Sequence, residues 1–170
     1  MFKSIFLPII GVAAFITIVG LFSQGKLNFL FSGNSPIIST KSDVLKEKTI
    51  KISDIELKVE VAKTDSERAK GLSNRSSLDQ NSGMVFVFSK NSSPIFWMKD
   101  TKIPLDLIWI DDNKIVGITK NVQTEPNVSD NYLKRYQAPT HVDYVVEVNA
   151  GYSDKNNIKV GQSLSGLEQL

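Results

Sequence analysis

The chain has 170 residues, with 20 Lys or Arg against 18 Asp or Glu, and carries a formal net charge of +2. The two signs are intermixed, which leaves no electrostatic footprint for nucleic acid and excludes that class of partner. Cysteine is absent and His141 is the only histidine, so disulfides, thiolate nucleophiles, zinc–thiolate cages and two-histidine metal sites are excluded, and no cofactor or metal is expected.

Ile5 to Phe22 (IFLPIIGVAAFITIVGLF) is uncharged, and its 18 residues lie at the short end of what crosses a hydrocarbon core of about 30 Å. A single-pass membrane anchor is expected at 5–22, with Lys3 keeping the N-terminus in the cytoplasm and the remainder outside it. The alternative is export after cleavage of a signal peptide, but no A-x-A-like site follows the apolar run. Residues 23–47 mix Ser, Asn and Gly without sustained period and read as a flexible tether. A β-rich domain is expected over 48–166.

Within that domain, Ile55, Leu57, Val59 and Val61 alternate with Glu56, Lys58 and Glu60, the pattern of a strand with one wet face. Thr64 and Glu67 have capping-box spacing, and Gly71 is placed to end the short helix they start. Gly83–Phe88 is a continuous apolar run suited to an inner strand. PIFWMK reads as extended, with a break at Thr101–Pro104. LDLIWI and KIVGITKNV then form a hairpin turning at Asp112-Asn113, a role preferred for these residues over a calcium site shared with Asp111 and Asp143. A strand over Val142–Asn149, a short helix or turn at Tyr152–Asn156 and a last strand in IKVGQSL complete the pattern. Many strands with little helix predict a mainly β fold, an antiparallel β-sandwich or small barrel-like domain with one or two short helices.

The ordered set ERAKGL, SGMVFVF, FWMKDTKIPLDLIWID, APTHVDYVVEVNAG and IKVGQSL, from about Thr49 to Leu164, resembles the domain of unknown function (DUF) 192 family, also called uncharacterised protein family 0127. The resemblance implies a compact, sandwich-like β domain, often exported or membrane-tethered, and implies no reaction. Ser73 stands where the family usually has methionine, Asp100 replaces a frequent asparagine and Ser82 a frequent acid. The positions Lys99, Thr101, Asp106 and Glu147 are kept.

Those charges sit in apolar surroundings, which demands pairing, solvation or use. Strand parity puts Asp106 on one face with Ile108 and Ile110, opposite Leu105, Leu107 and Trp109, and groups Glu147 with Val145 and Asn149. One reading is architectural: Asp106 accepts from the Thr101 hydroxyl and the amides of the proline turn, while Lys99 pairs with Asp106 or, across the sheet, with Glu147. The other is a ligand groove of Arg68, Trp97, Lys99, Asp106, Trp109, Glu147 and Asn149, whose indole faces and polar groups suit a sugar. The preferred function is non-catalytic binding of a carbohydrate or cell-envelope component. A structural or protein-interaction module, docking an envelope protein on an edge strand, is the alternative. A hydrolase using Asp106 and Glu147 as acid and base is third. Oligomeric state is left open.

Overall fold

The computed structural model describes residues 45–170. The expected anchor at 5–22 and all but the last residues of the expected tether lie outside the described residues. Among those described, no helix is long and apolar enough to cross a membrane.

The chain forms β1 (Glu47–Ile52), β2 (Ile55–Ala62), α1 (Asp65–Lys70), β3 (Ser82–Ser92), β4 (Ile95–Phe96), β5 (Leu105–Asp111) and β6 (Lys114–Val122). There follow β7 (Tyr136–Gln137), β8 (Val142–Asn149), α2 (Tyr152–Lys155) and β9 (Leu164–Ser165), with single 3₁₀ turns at Asp130–Tyr132 and Leu167–Gln169. Seven strands make one sheet in the order β6-β5-β8-β3-β2-β1-β9, and β4 and β7 form a separate two-stranded ribbon.

The expected β-rich composition holds, but the sandwich does not. There is one large sheet, and it is not wholly antiparallel, because β2 and β3 run parallel. Parallel neighbours need a crossover, and the segment carrying α1 supplies it. The helix starts as its sequence requires: the Thr64 side chain accepts from the Glu67 N–H, and Glu67 reaches back to the Thr64 N–H at 2.8 Å. It ends at Gly71, whose φ of 45° is cheap only for glycine.

The sheet curls into a half-barrel whose two edges meet at one end. The segment before β9 bridges to the start of β6, with the Ile115 N–H donating to the Gln162 carbonyl at 2.9 Å and the Leu164 N–H to the Asn113 carbonyl at 2.8 Å. The β5–β6 hairpin turns where expected, with Asp112 and Asn113 at φ of 48° and 61°, the left-handed pair that matches strand twist. PIFWMK is strand only at Ile95–Phe96, so Trp97 and Lys99 belong to a loop.

The inner face carries Ile50, Leu57, Val59, Val85, Ile108, Ile110 and Val146, closed off by Tyr152, Ile158, Leu164 and Leu167. A second cluster lies on the outer face of the three central strands, where Met84, Phe86, Leu105, Leu107, Trp109 and Val145 are covered by Leu72, Met98 and Ile103. Burial on both faces explains why β3 and β5 read as continuous apolar runs, whereas β1 and β2, with a wet outer face, alternate.

Asp106 points into the inner face with no solvent exposure. Its carboxylate accepts the backbone N–H groups of Asn121 at 2.8 Å, Gly151 at 3.1 Å and Ser153 at 2.9 Å. It therefore ties β5 to the end of β6 and to the turn from β8 into α2. The architectural reading of Asp106 is supported in kind and corrected in partners. Thr101 instead donates to the Lys99 carbonyl, and Lys99 is bound to Asp130, so Asp106 and Lys99 are not a pair.

Hydrogen bonds to a charged group contribute about 1.5–3 kcal/mol each. Asp106→Asn keeps one acceptor oxygen and turns an N–H₂ group toward amides that also donate. This substitution is expected to cost about 3 kcal/mol or more, read as a lower urea midpoint at unchanged slope. A midpoint within error of wild type would contradict the anchoring role.

Candidate functional site

The outer face of the central strands carries one ionisable side chain in its middle, Glu147. The ladder sets Met84 of β3 opposite it on one side and Leu107 of β5 on the other. Gly83 lets β3 lie this close: a Cβ there would stand 2.5 Å from the Glu147 carbonyl oxygen. Two loops rise over the glutamate. One is the end of α1 through Ser73, and the other runs from Pro94 to Thr101. They are tied together by the Ser73 hydroxyl donating to the Lys99 carbonyl at 3.0 Å and the Asn74 N–H donating to the Asp100 carbonyl at 2.8 Å.

Between these loops is a cleft of about 200 Å³. Glu147, Phe86 and Phe88 line it from the sheet, Arg68, Lys70, Gly71 and Ser73 from the first loop, and Phe96, Trp97, Lys99 and Thr101 from the second. Phe96 meets Phe86 edge-to-face at 5.0 Å and Phe88 at 6.2 Å between centroids. Gly71 is needed for close approach as well as for its φ, since a Cβ would stand 3.3 Å from the Phe86 ring.

The seven expected site residues divide. Arg68, Trp97, Lys99 and Glu147 line the one cleft, while Asp106, Trp109 and Asn149 do not. Asp106 lies on the opposite face of the sheet. Trp109 is 1 % exposed, donates its indole N–H to the Thr119 hydroxyl at 2.9 Å and backs Phe96 edge-to-face at 5.5 Å. Asn149 donates its amide to the carbonyls of Leu78 and Asp79 at 3.0 and 3.1 Å, fastening the loop ahead of β3. The three phenylalanines and Ser73 were missed. Phe86 and Phe88 share a face by parity, yet only the pairing of β3 with β8 shows that this is the face of Glu147.

The cations of the cleft are held at its rim. The Arg68 guanidinium donates to the carbonyls of Lys63 and Val87, pairs with Asp65 and lies 5.2 Å from the Phe88 centroid. Trp97 is 45 % exposed, and the Arg135 guanidinium lies 3.9 Å from its ring centroid. Lys99 pairs with Asp130, not with Glu147 as expected, and that pair raises the Lys99 pKa above its ordinary value.

Glu147 is 6 % exposed, and its carboxyl has no ion-pair partner and no hydrogen-bond partner among the described residues, burial being the one influence on its proton affinity. Burial pushes its pKa up to about 8. Burial thus favours the protonated form of the one acid that lines the cleft among the described residues. Because Asp106 and Glu147 face opposite sides of one sheet, they do not flank a common bond as an acid–base pair must.

A family model, DUF192, described as an uncharacterized ACR, matches residues 48–166. Two crystal structures are similar. One is a protein from Sinorhizobium meliloti 1021 provisionally described as a transcription regulator, 27% identical, with a TM-score of 0.64 over 71% of this chain and 94% of that one. The other is a protein of unknown function from Novosphingobium aromaticivorans DSM 12444, 26% identical, with a TM-score of 0.67 over 74% of this chain and 89% of that one. No curated protein matches the chain.

A carboxyl whose pKa is raised on folding holds its proton more tightly in the folded state. Its effect on stability is therefore absent below the unfolded value of 4.5, grows as pH rises toward about 8, and is complete above that. Wild type is expected to lose roughly 3–5 kcal/mol relative to Glu147→Gln across this window. Melting temperatures of the two chains against pH measure the difference. Parallel profiles would contradict a buried, unpartnered carboxyl.

Proposed function

The chain belongs to the DUF192 family, and from the geometry of its cleft we propose that the β domain is a non-catalytic module binding a carbohydrate unit of the cell envelope. The observation that carries this reading is Glu147, an unpartnered carboxyl on the floor of an aromatic-walled cleft. Burying a polar group without a partner costs free energy, and such a cost is tolerated where the group serves a ligand. The cleft is smaller than the roughly 300–1,000 Å³ of sites for drug-sized molecules, which suits a single ring. Aromatic faces beside a few directional polar groups match the two sides of a sugar, apolar C–H and polar hydroxyl.

Binding without chemistry is supported by a lining in which Glu147 is the one acid among the described residues. The apolar run at 5–22 supports tethering of the domain to the outer side of the cytoplasmic membrane, where envelope polysaccharide is at hand. An envelope protein is the alternative partner. Among the described residues, four of the five exposed large hydrophobics, Ile95, Trp97, Val128 and Tyr132, lie in the segments around Lys99 and Asp130, so either partner would meet the same side of the domain.

Trp97→Ala is the variant that reads binding apart from folding, because the side chain is nearly half exposed. It is expected to weaken retention on envelope polysaccharide about two- to tenfold, as loss of an aromatic contact of about 0.5–1.5 kcal/mol requires, with the melting temperature unchanged. Failure of the wild-type chain to be retained on any envelope polysaccharide, with envelope proteins recovered instead, would overturn the carbohydrate reading.

A further inference from the structure

The charge of the cleft lining narrows the ligand further: we infer that the Glu147 cleft takes an acidic saccharide, one carrying a carboxylate or phosphate. The inference rests on the carbohydrate reading and would fall with it. Three cations line the cleft, Arg68, Lys70 and Lys99, against the single acid Glu147. By contrast, the neighbouring cleft, which shares Lys99 and Thr101, adds Lys102 but also Asp100, Glu125 and Asp130, a nearly balanced set.

The groups packed around Glu147 explain how one acid coexists with an anion. On the flanking strands it meets Met84 and Leu107, and on its own strand Val145 and Asn149 share its face. Of the charged groups on the covering elements, Arg68, Lys70 and Lys99 line the cleft, whereas Asp65, Glu67 and Asp100 do not. Burial is what raises its proton affinity. A protonated carboxyl donates one hydrogen bond to a ligand oxygen and adds no repulsion. The cleft then presents a neutral donor beneath a cationic rim.

Lys70 and Lys99 are free to turn to a ligand, while Arg68 is fixed at the rim by the carbonyls of Lys63 and Val87. Asp65, the partner of Arg68, has a fully exposed side chain, and Asp130, the partner of Lys99, is 61% exposed; surface pairs of this kind hold weakly. Lys70 has no ion-pair partner among the described residues. A cationic ligand would meet three like charges, and a neutral sugar would leave all three unused.

Calorimetric titration of the full chain with glucose, glucuronate and glucose 6-phosphate tests this, since the three share one ring. At about pH 6, at least one acidic sugar is expected to bind about tenfold more tightly than glucose, and the tighter of the two distinguishes carboxylate from phosphate. At about pH 9 that preference should fall several-fold as Glu147 ionises, and in Glu147→Gln it should persist at both pH values. Lys70→Met combined with Lys99→Met should reduce the preference for the acidic sugar several-fold, and an undiminished preference would overturn the inference. Glucose binding as tightly as both acidic sugars would overturn the inference and leave sugar binding standing. Binding of none of the three would overturn the inference together with the reading beneath it.

Discussion

A carboxylate closed off from solvent, Asp106, accepts three backbone amides drawn from two other parts of the chain. Everything around it depends on those bonds. β5 lies between β6 and β8, and the Asp106 oxygens fix where both neighbours leave the sheet. Once β8 is aligned on β5, the register that sets Glu147 beside Leu107 follows. Pairing of β8 with β3 then places Met84 on the other side and Phe86 nearby. The fold anchor on the inner face thus determines the geometry of the cleft on the outer face.

Two buried acids on the two faces of one sheet have opposite circumstances. Asp106 exchanges water for three directed N–H donors, which offsets its burial. Glu147 gives up most of its hydration to apolar neighbours and gains no partner among the described residues, so its proton is held more tightly. A polar side chain of the first kind is explained by folding. One of the second kind lowers stability at neutral pH, and its retention points to what enters the cleft.

Strand periodicity was legible because it is local. Parity alone separated Asp106, Ile108 and Ile110 from Leu105, Leu107 and Trp109, and the capping box at Thr64 and the turn at Asp112-Asn113 carried their own chemistry. Beyond the β5–β6 hairpin, neighbour relations were not legible. Nothing in the alternation of β2 says that it pairs parallel with β3, since that depends on the path taken through α1. Period also leaves open which face a charge occupies. Asp106 and Glu147 therefore looked like candidates for one groove, and Lys99 for their partner. Lys99 is instead claimed by Asp130, 31 residues further on, in a loop with no strand pattern to reveal the contact. Trp109 and Asn149 were chosen for their chemistry, but burial under the second loop and the carbonyls of Leu78 and Asp79 employ them structurally.

The central claim is that the cleft floor is a buried carboxyl with no partner among the described residues. Its most direct test is a carbon-13 NMR titration of the full chain labelled at glutamate side chains, with the Glu147 resonance assigned through Glu147→Gln. The account expects that carboxyl to titrate near pH 8, apart from the other glutamates. A midpoint near the ordinary 4.5 would mean that Glu147 is hydrated or paired in solution, and the cleft would lose the feature that marks it as a site.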